Sequence, residues 1–279
     1  MTKIRLACAV AVLLVWGGLA AAGEMFSARK DLDTGKWDAL RESVIRNAPY
    51  TFEQHLISLV APTFGEDSSA VPISIETKRE LGTVEEFVLM VDNNPFPVVM
   101  RARPAAYMKS LSLRIRMQES SPVRVAARTS DGVWHVADRY VKVSGGGCSV
   151  ATSGPAGDQK MIGQVRITAW GRSDIARLRF QVMHPMDTGL AKDDKGAVIP
   201  PYYVFKVDVQ SGEKKLLELE STPIARNPAF AVDMDIDPAD LAALQVLATD
   251  STQTIYISEA AQVFMEPGLL DMTPQMSRK

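Results

Sequence analysis

The sequence predicts a mainly β protein, in which two immunoglobulin-like antiparallel β-sandwiches follow an N-terminal helical segment. Two series of short segments, at 71–143 and 162–258, alternate apolar and polar residues with the period of a β-strand. Turn sequences separate these segments at spacings typical of sandwiches. A stretch of small residues at 144–158 lies between the two series and has the composition of a linker.

Residues 1–22 have the layout of a secretory signal peptide. Lys3 and Arg5 form a short positive region, an apolar stretch follows at 6–19, and three alanines then supply a small-residue cleavage site. We expect export to the periplasm, cleavage after the third alanine and no membrane association afterwards. Retention as an uncleaved anchor is the alternative.

The segment 24–66 has the pattern of a helical lead-in. Thr34 is placed to cap a helix, and the Asn-Ala-Pro sequence at 47–49 is placed to end it. We expect a second, shorter helix at 53–60. The apolar residues that form one face of the first helix are Trp37, Leu40, Val44 and Ile45.

Two turn signals support the first sandwich. Asp-Asn-Asn-Pro at 92–95 and Ser-Asp-Gly at 130–132 both lie between alternating segments, and an Asp-Gly pair in this position is a strong hairpin signal. The strands of the second sandwich are predicted at 162–169, 176–183, 202–209, 214–219, 230–234, 244–249 and 254–258.

These patterns define the domain organisation. The helical lead-in and the first sandwich occupy 23–143 after the signal peptide. A glycine-rich linker that carries Cys148 occupies 144–159, and the second sandwich occupies 160–279.

The composition excludes several functional classes. The formal net charge is -2, and no basic run interleaved with aromatic residues is present, which argues against a nucleic-acid binder. The sequence contains no phosphate loop, no Gly-x-Ser-x-Gly elbow, no Cys-x-x-Cys pair and no zinc-ligand spacing. We therefore expect no cofactor, no metal and no catalytic constellation of the protein's own.

Other polar candidates are weaker. His184 and Met186 are too few to form a copper site, and His135 lies in a strand pattern that predicts a solvent-facing side chain. Four arginines in two predicted strands form either an anion site or a solvated sheet face, and we favour the solvated face. These arginines are Arg101, Arg103, Arg114 and Arg116.

Cys148 is the most informative residue. The other cysteine, Cys8, lies in the predicted signal peptide, so Cys148 is expected to be the only cysteine of the exported chain. Three glycines precede it, and such a run loses much backbone entropy on folding while it packs nothing. We therefore predict an exposed, mobile thiol that carries something on sulfur. An inert loop thiol and a thiol-dependent enzyme are the alternatives.

Several motifs resemble a known family. The sequence His-Pro-Met-Asp-Thr-Gly at 184–189, with Ile-Pro at 199–200 and Ala-Arg-Asn-Pro-Ala-Phe at 225–230, resembles the SoxZ subunit of the bacterial sulfur-oxidation carrier. The first domain resembles its partner subunit, SoxY, at the strand-turn-strand region 84–97 and at the Gly-Gly-Gly-Cys sequence 145–148.

This resemblance implies a fused carrier with a SoxY-like domain and a SoxZ-like domain, and no enzyme activity of its own. It implies that a sulfur-containing intermediate is attached to Cys148. The swinging arm would comprise Gly145, Gly146, Gly147 and Ser149. The implied partners are periplasmic redox enzymes, including a quinoprotein dehydrogenase of the kind associated with fused carriers.

One departure from the family pattern limits this expectation. The arm of the two-subunit carrier is a free C-terminus, whereas Cys148 is tethered on both sides and is followed by Ser149 where the family has glycine. The reach of the arm into a narrow partner tunnel is therefore in doubt. A non-covalent adaptor of a quinoprotein dehydrogenase system is the alternative function.

Overall fold

The computed structural model describes residues 32–151, 160–172 and 175–265. The predicted signal peptide at 1–22 lies outside the described residues, and so does the linker segment 152–159. No helix in the described ranges is long and apolar enough to span a membrane.

Within residues 32–151, the structure has helix α1 (Trp37–Val44) and nine strands. The strands are β1 (Tyr50–Phe52), β2 (Ile57–Val60), β3 (Phe64–Gly65), β4 (Val71–Thr77), β5 (Val84–Val91), β6 (Val98–Pro104), β7 (Met108–Ile115), β8 (Ser121–Thr129) and β9 (Trp134–Val143).

In the described part of the second half, the structure has the short helix α2 (Pro238–Leu241) and eight strands. The strands are β10 (Val165–Gly171), β11 (Ala176–Val182), β12 (Val204–Ser211), β13 (Lys214–Ser221), β14 (Ala229–Met234), β15 (Leu244–Asp250), β16 (Ile255–Ile257) and β17 (Gln262–Met265).

Two sheets run through both halves of the molecule. A ten-stranded sheet has the order β1-β9-β8-β5-β6-β13-β12-β15-β16, with β3 paired to β9, and a seven-stranded sheet has the order β17-β10-β11-β14-β7-β4-β2. The halves join edge to edge where β13 pairs with β6 and β14 pairs with β7. The predicted β-sandwich class is confirmed, and the backbone hydrogen bonds of two ladders unite the halves.

The space between the sheets is filled by one hydrophobic core that contains residues from both halves. The strands alternate as the sequence indicates, so that Val71, Ile73 and Ile75 of β4 are all buried. Burying each such side chain contributes about 1.5–3 kcal/mol to the free energy of unfolding. A smaller cluster lies where α1 packs on the ten-stranded sheet, and it includes Leu40, Val44 and Trp134.

The helix predicted at 53–60 is wrong. The chain forms β2 at the end of this segment, directly after β1, and β1 pairs in parallel with β9 while β2 pairs with β4. Ile57 and Leu59 are buried and Val60 is exposed, which is the alternation of a strand. A short apolar run does not distinguish a helix from a strand by itself, and here the neighbouring strands determine the outcome.

The first predicted helix is present as α1, but Thr34 does not cap it. The hydroxyl of Thr34 donates a hydrogen bond of 2.7 Å to the carboxylate of Asp92. Lys36 occupies the N-cap position without a side-chain cap. Thr34 thus ties the lead-in to the ten-stranded sheet, because Asp92 follows β5.

Candidate functional site

Cys148 lies just beyond β9, within a single 3-10 turn at Gly147–Ser149. Its side chain is buried, with the residue only 3% exposed, and it belongs to neither hydrophobic cluster. The expectation of an exposed thiol is therefore wrong for this structure, whereas the swinging-arm role of residues 145–147 and 149 stays a prediction. We call residues 144–151 the cysteine loop.

The glycines of the cysteine loop have a conformational purpose. Gly145 and Gly146 have φ angles of 94° and 78°, in the region that favours glycine. A Cβ on Gly147 would overlap the carbonyl oxygen of Ser68, whose hydroxyl in turn donates a 2.8 Å hydrogen bond to the carbonyl of Gly145. These residues are glycines because the docked conformation requires it, which is the physical reason that the thiol is not exposed in this structure.

Backbone hydrogen bonds hold the loop against the end of β7. The amide of Gly146 donates to the carbonyl of Gln118 at 2.7 Å, and the amide of Gly147 donates to the carbonyl of Met117 at 3.1 Å. Ser149 is exposed, and its hydroxyl donates to the side chain of Gln118 at 3.3 Å. The loop is thus held to the residues that follow β7.

Arg116 lies beneath the cysteine loop and is only 1% exposed. In the part of the chain that the structure describes, its guanidinium donates hydrogen bonds only to backbone carbonyl oxygens. The acceptors are Gly147 (2.9 Å), Val150 (3.5 Å), Ile224 (2.9 Å) and Met186 (3.4 Å). Because arginine stays protonated in proteins, a buried positive charge joins the cysteine loop to two segments of the second half.

The thiol is a weak acid in this environment. Burial raises the pKa of Cys148 to about 11, and the positive charge of Arg116 only partly opposes that rise. Burial also acts to lower the pKa of Arg116, against the attraction of Cys148 and Asp187. Since the thiolate is the nucleophile, the docked thiol is unreactive at neutral pH.

The His-Pro-Met-Asp-Thr-Gly segment of the second half contacts the cysteine loop directly. The hydroxyl of Thr188 donates a 2.7 Å hydrogen bond to the carbonyl of Cys148 and accepts one from the amide of Leu190. Thr188 is itself buried. The two motifs that the sequence analysis singled out separately thus form one site.

His184 supports this segment. Its Nδ1 accepts a hydrogen bond from the amide of Met186, and its Nε2 lies 3.8 Å from the carboxylate of Asp250 without a hydrogen bond. Burial lowers the pKa of His184 to about 4, although the nearby carboxylates oppose the change. Tyr256 donates a hydrogen bond to Asp250, and the ring of Tyr202 packs 4.3 Å from the imidazole.

His184 is therefore a neutral core residue at neutral pH. Within the described ranges, no group of three or more His, Cys, Asp or Glu side chains is placed to hold a metal ion.

Two asparagines fix the remaining segments around the site. Asn227, with a φ angle of 49°, exchanges hydrogen bonds with the backbone of His184 at 2.9 and 3.0 Å. Asn94 donates to the carbonyl of Arg116 at 2.7 Å and accepts from the amide of Gln118 at 2.9 Å. The Asp-Asn-Asn-Pro and Arg-Asn-Pro sequences thereby position the strand ends that carry the cysteine loop.

The four arginines of the predicted strands do not gather at one place. Arg101 and Arg103 form ion pairs with Glu86 on the ten-stranded sheet, whereas Arg114 is exposed on the seven-stranded sheet. Arg116 is buried, contrary to the expectation of a solvated face, because β7 ends at Ile115 and the alternation ends with it. His135, expected to face solvent, is half-buried.

Sequence reasoning thus missed the burial of Arg116 and its contacts with the cysteine loop, and it gave no role to Thr188. The alternation of β7 gave no indication that Arg116 is buried, because it places Arg116 on the same face of the strand as the exposed Arg114. Thr188 lay inside the recognised motif, but its partner, the Cys148 carbonyl, belongs to the other half of the chain.

Comparison with solved structures finds distant partial matches. Two of these are variants of the superoxide reductase (neelaredoxin) from Ignicoccus hospitalis, which are 12% and 10% identical to this chain, with TM-scores of 0.28 and 0.29. The matches cover 40% and 42% of this chain, and 98% and 92% of those chains. No curated protein matches this chain.

Family models match both halves. The model of the sulfur oxidation protein SoxY matches residues 41–148, and the model of the sulphur oxidation protein SoxZ matches residues 166–261. The first match ends at Cys148, and the second contains the segment that contacts it. The chain therefore belongs to the SoxYZ-like sulfur carriers, with a SoxY domain and a SoxZ domain fused in tandem.

Proposed function

We propose that this protein is a periplasmic carrier that holds a sulfur-containing intermediate covalently on the thiol of Cys148 and presents it to partner redox enzymes. SoxY and SoxZ proteins are carriers or adaptors rather than catalysts, and they work with sulfur-oxidation enzymes. The observation that best supports the proposal is the convergence of the family's motif segments on the backbone around Cys148. Export by the segment 1–22 is part of the proposal.

A buried thiol must be exposed before it can be loaded. The hydrogen bonds that hold the loop down come from the side chains of Ser68, Arg116 and Thr188 and from the amides of Gly146 and Gly147. Each contributes about 0.5–1.5 kcal/mol net, so the open state lies several kcal/mol higher and is a minor state. In the open state, the thiol pKa returns towards its ordinary value.

The two states of the loop give the thiol two different properties: it is protected when the loop is closed and reactive when the loop is open. The closed loop keeps the thiol protonated and away from solvent oxidants, which would otherwise convert an exposed thiolate to sulfenic acid. A partner that binds the open loop raises the population of the reactive state by mass action. The surface available to such a partner beside the loop carries three exposed apolar side chains, Phe96, Val150 and Leu190.

The loading step has a defined redox balance. Joining a thiol-level sulfur compound to Cys148 forms one S–S bond and releases two protons and two electrons. Neither half of the site can accept those electrons, so a partner redox enzyme is required. A quinoprotein dehydrogenase is the partner class that we propose for this role.

The test is the intact mass of the protein purified from its native periplasm. We expect a sulfur-containing adduct on Cys148 that is absent from Cys148→Ala, with circular dichroism showing that the variant is folded. A native protein that always carries a bare or randomly oxidised thiol would contradict the proposal.

The burial of Cys148 favours a second function, a non-covalent adaptor that docks to the same redox enzymes. The thiol is then only a small buried side chain. In this case, Cys148→Ser leaves partner binding and the flux of sulfur oxidation unchanged, whereas the carrier function predicts that binding survives and flux is lost.

A further inference from the structure

A concavity of about 930 Å³ lies on the outer face of the seven-stranded sheet. Its lining includes Ala229 and Ala231, two small outward-facing residues of β14. Ser112 of β7, which pairs with Ala231, is also small, so these residues form the floor of a groove. The arginines that line this groove are Arg114, Arg166 and Arg179.

The strand order places these arginines on both sides of the floor. Strand β14 lies between β7, which carries Arg114, and β11, which carries Arg179. Arg166 lies one strand further, on β10. Because adjacent strands are about 4.8 Å apart, positive charge lines the two edges of a groove roughly 10 Å wide.

These three arginines are exposed, and none forms an ion pair with a carboxylate of the described residues. The guanidinium of Arg179 lies 5.6 Å from the ring of Trp170. Elsewhere on the same sheet, Arg177 is paired with Asp233 at 2.6 Å. The groove therefore concentrates positive charge that no ion pair of the described residues neutralises, although the net formal charge of the protein is negative. Arg114 does act at longer range on Asp67, whose carboxyl pKa it helps to lower.

The groove lies at the end of the sheet that carries the functional site. From Arg114, the chain reaches the buried Arg116 after two residues, and from Gln181 it reaches His184 after three. Asn227 lies two residues before the start of β14. Three strands that border the groove thus lead directly to the segments that surround the cysteine loop.

We propose that this groove docks an acidic, extended segment of a partner protein. With a volume of about 930 Å³ the groove is much larger than a single small anion, its floor allows close approach of a backbone, and its charge complements carboxylates. A partner held there lies next to the cysteine loop. The proposal does not depend on covalent cargo, because a non-covalent adaptor would use the same surface.

The test uses the exported chain and a fluorescein-labelled peptide of eight residues that alternates glutamate and glycine. Fluorescence anisotropy at low salt is expected to show binding, and a peptide with glutamine in place of glutamate is expected to bind roughly tenfold more weakly. Added salt should weaken the interaction, since it screens exposed charges. All three arginines are exposed, so their substitution by glutamine should leave the fold intact.

Substitution of the groove residues is the decisive comparison. Each of Arg114→Gln, Arg166→Gln and Arg179→Gln should weaken binding several-fold, and the triple variant by more than about tenfold. The matched control is Arg139→Gln, an exposed arginine of β9 on the other sheet, which should have no effect.

Three outcomes would overturn the proposal. The first is no binding of the acidic peptide. The second is an equal loss in the Arg139→Gln control or equal binding of the glutamine peptide. The third is arginine-dependent binding of sulfate without binding of the peptide, which would make the groove a small-anion site.

Discussion

Two buried arginines show how differently the fold handles a charge. Arg124, 3% exposed, is neutralised by the carboxylates of Asp92 (2.8 Å) and Asp138 (3.2 Å). Among the described residues, Arg116, 1% exposed, is held only by carbonyl oxygens of the loops that meet at Cys148. The charge of Arg124 is balanced by its two carboxylate partners. The charge of Arg116 has no such partner at hydrogen-bond distance in the described ranges, so it acts on the neighbouring thiol.

The difference has consequences for mobility. Opening the neighbourhood of Arg124 would separate opposite charges in a medium of low dielectric, so that region stays closed. Opening the cysteine loop exchanges carbonyl acceptors for water, which solvates a guanidinium equally well. The same fold therefore combines a rigid support on one side with a releasable loop on the other.

The largest effect is expected at the rigid arginine. Asp92→Ala leaves Arg124 with an incompletely compensated buried charge and should lower the free energy of unfolding by about 3–5 kcal/mol. Urea unfolding monitored by tryptophan fluorescence measures this loss. The control is Asp235→Ala, which breaks the exposed pair with Arg79 and should cost less than about 1 kcal/mol. Equal losses in the two variants would contradict the comparison.

The next effect is a dependence of stability on pH. The pKa of the Cys148 thiol is about 11 in the folded protein and 9.0 ordinarily. A raised pKa stabilises the fold below the ordinary value, and this contribution is lost as the pH rises through the folded value. We expect a loss of about 2–3 kcal/mol between about pH 9 and 11.

The matched control for this measurement is Cys148→Ser, which does not titrate in this range. Urea unfolding of both proteins across the range separates the thiol from all other titrating groups. If the free energy of unfolding depends on pH in the same way in the wild type and in the serine variant, the thiol is not buried in solution.

A smaller effect is expected for Gly147→Ala, because its Cβ would overlap the carbonyl of Ser68. The docked loop should lose up to about 3 kcal/mol, and Cys148 should react faster with a disulfide reagent. Gly196→Ala is the control, because a Cβ there meets open space and the only strain comes from the positive φ angle of Gly196, which Gly147 does not share. Unchanged reactivity in Gly147→Ala would contradict the docked loop.

The smallest effect is expected for Thr188→Val, which removes the 2.7 Å hydrogen bond to the Cys148 carbonyl. The docked loop should lose about 1–2 kcal/mol, and thiol reactivity should rise by roughly tenfold. Thr51→Val, at an exposed position of β1, is the control. A larger increase of thiol reactivity in the control than in Thr188→Val would contradict the role of Thr188 in holding the loop.

The alternating patterns were sufficient to predict both sandwiches, because each strand has one buried face. The pairing of β6 with β13 was not predictable in this way, since strand alternation does not reveal which edges of two domains meet. The apolar run at 53–60 was misassigned because its period is ambiguous.

The sequence placed the candidate site at Cys148, which stays a prediction, but it did not predict the burial of the thiol. The same three glycines are compatible with a mobile arm and with a tight docked turn, because both use backbone conformations that only glycine adopts freely. The choice between the arm and the docked turn depends on Ser68 and Met117, which are distant in sequence and therefore absent from the local pattern. Arg116 was missed for a similar reason, since its acceptors come from other loops.

The most direct test of the account is the rate at which the wild-type Cys148 thiol is labelled at neutral pH as urea is raised through low concentrations. Local opening of the loop exposes little surface, so we predict slow but complete labelling with a shallow dependence on urea. Labelling that occurs only with the steep urea dependence of global unfolding would make Cys148 a permanently buried residue and would contradict the carrier function.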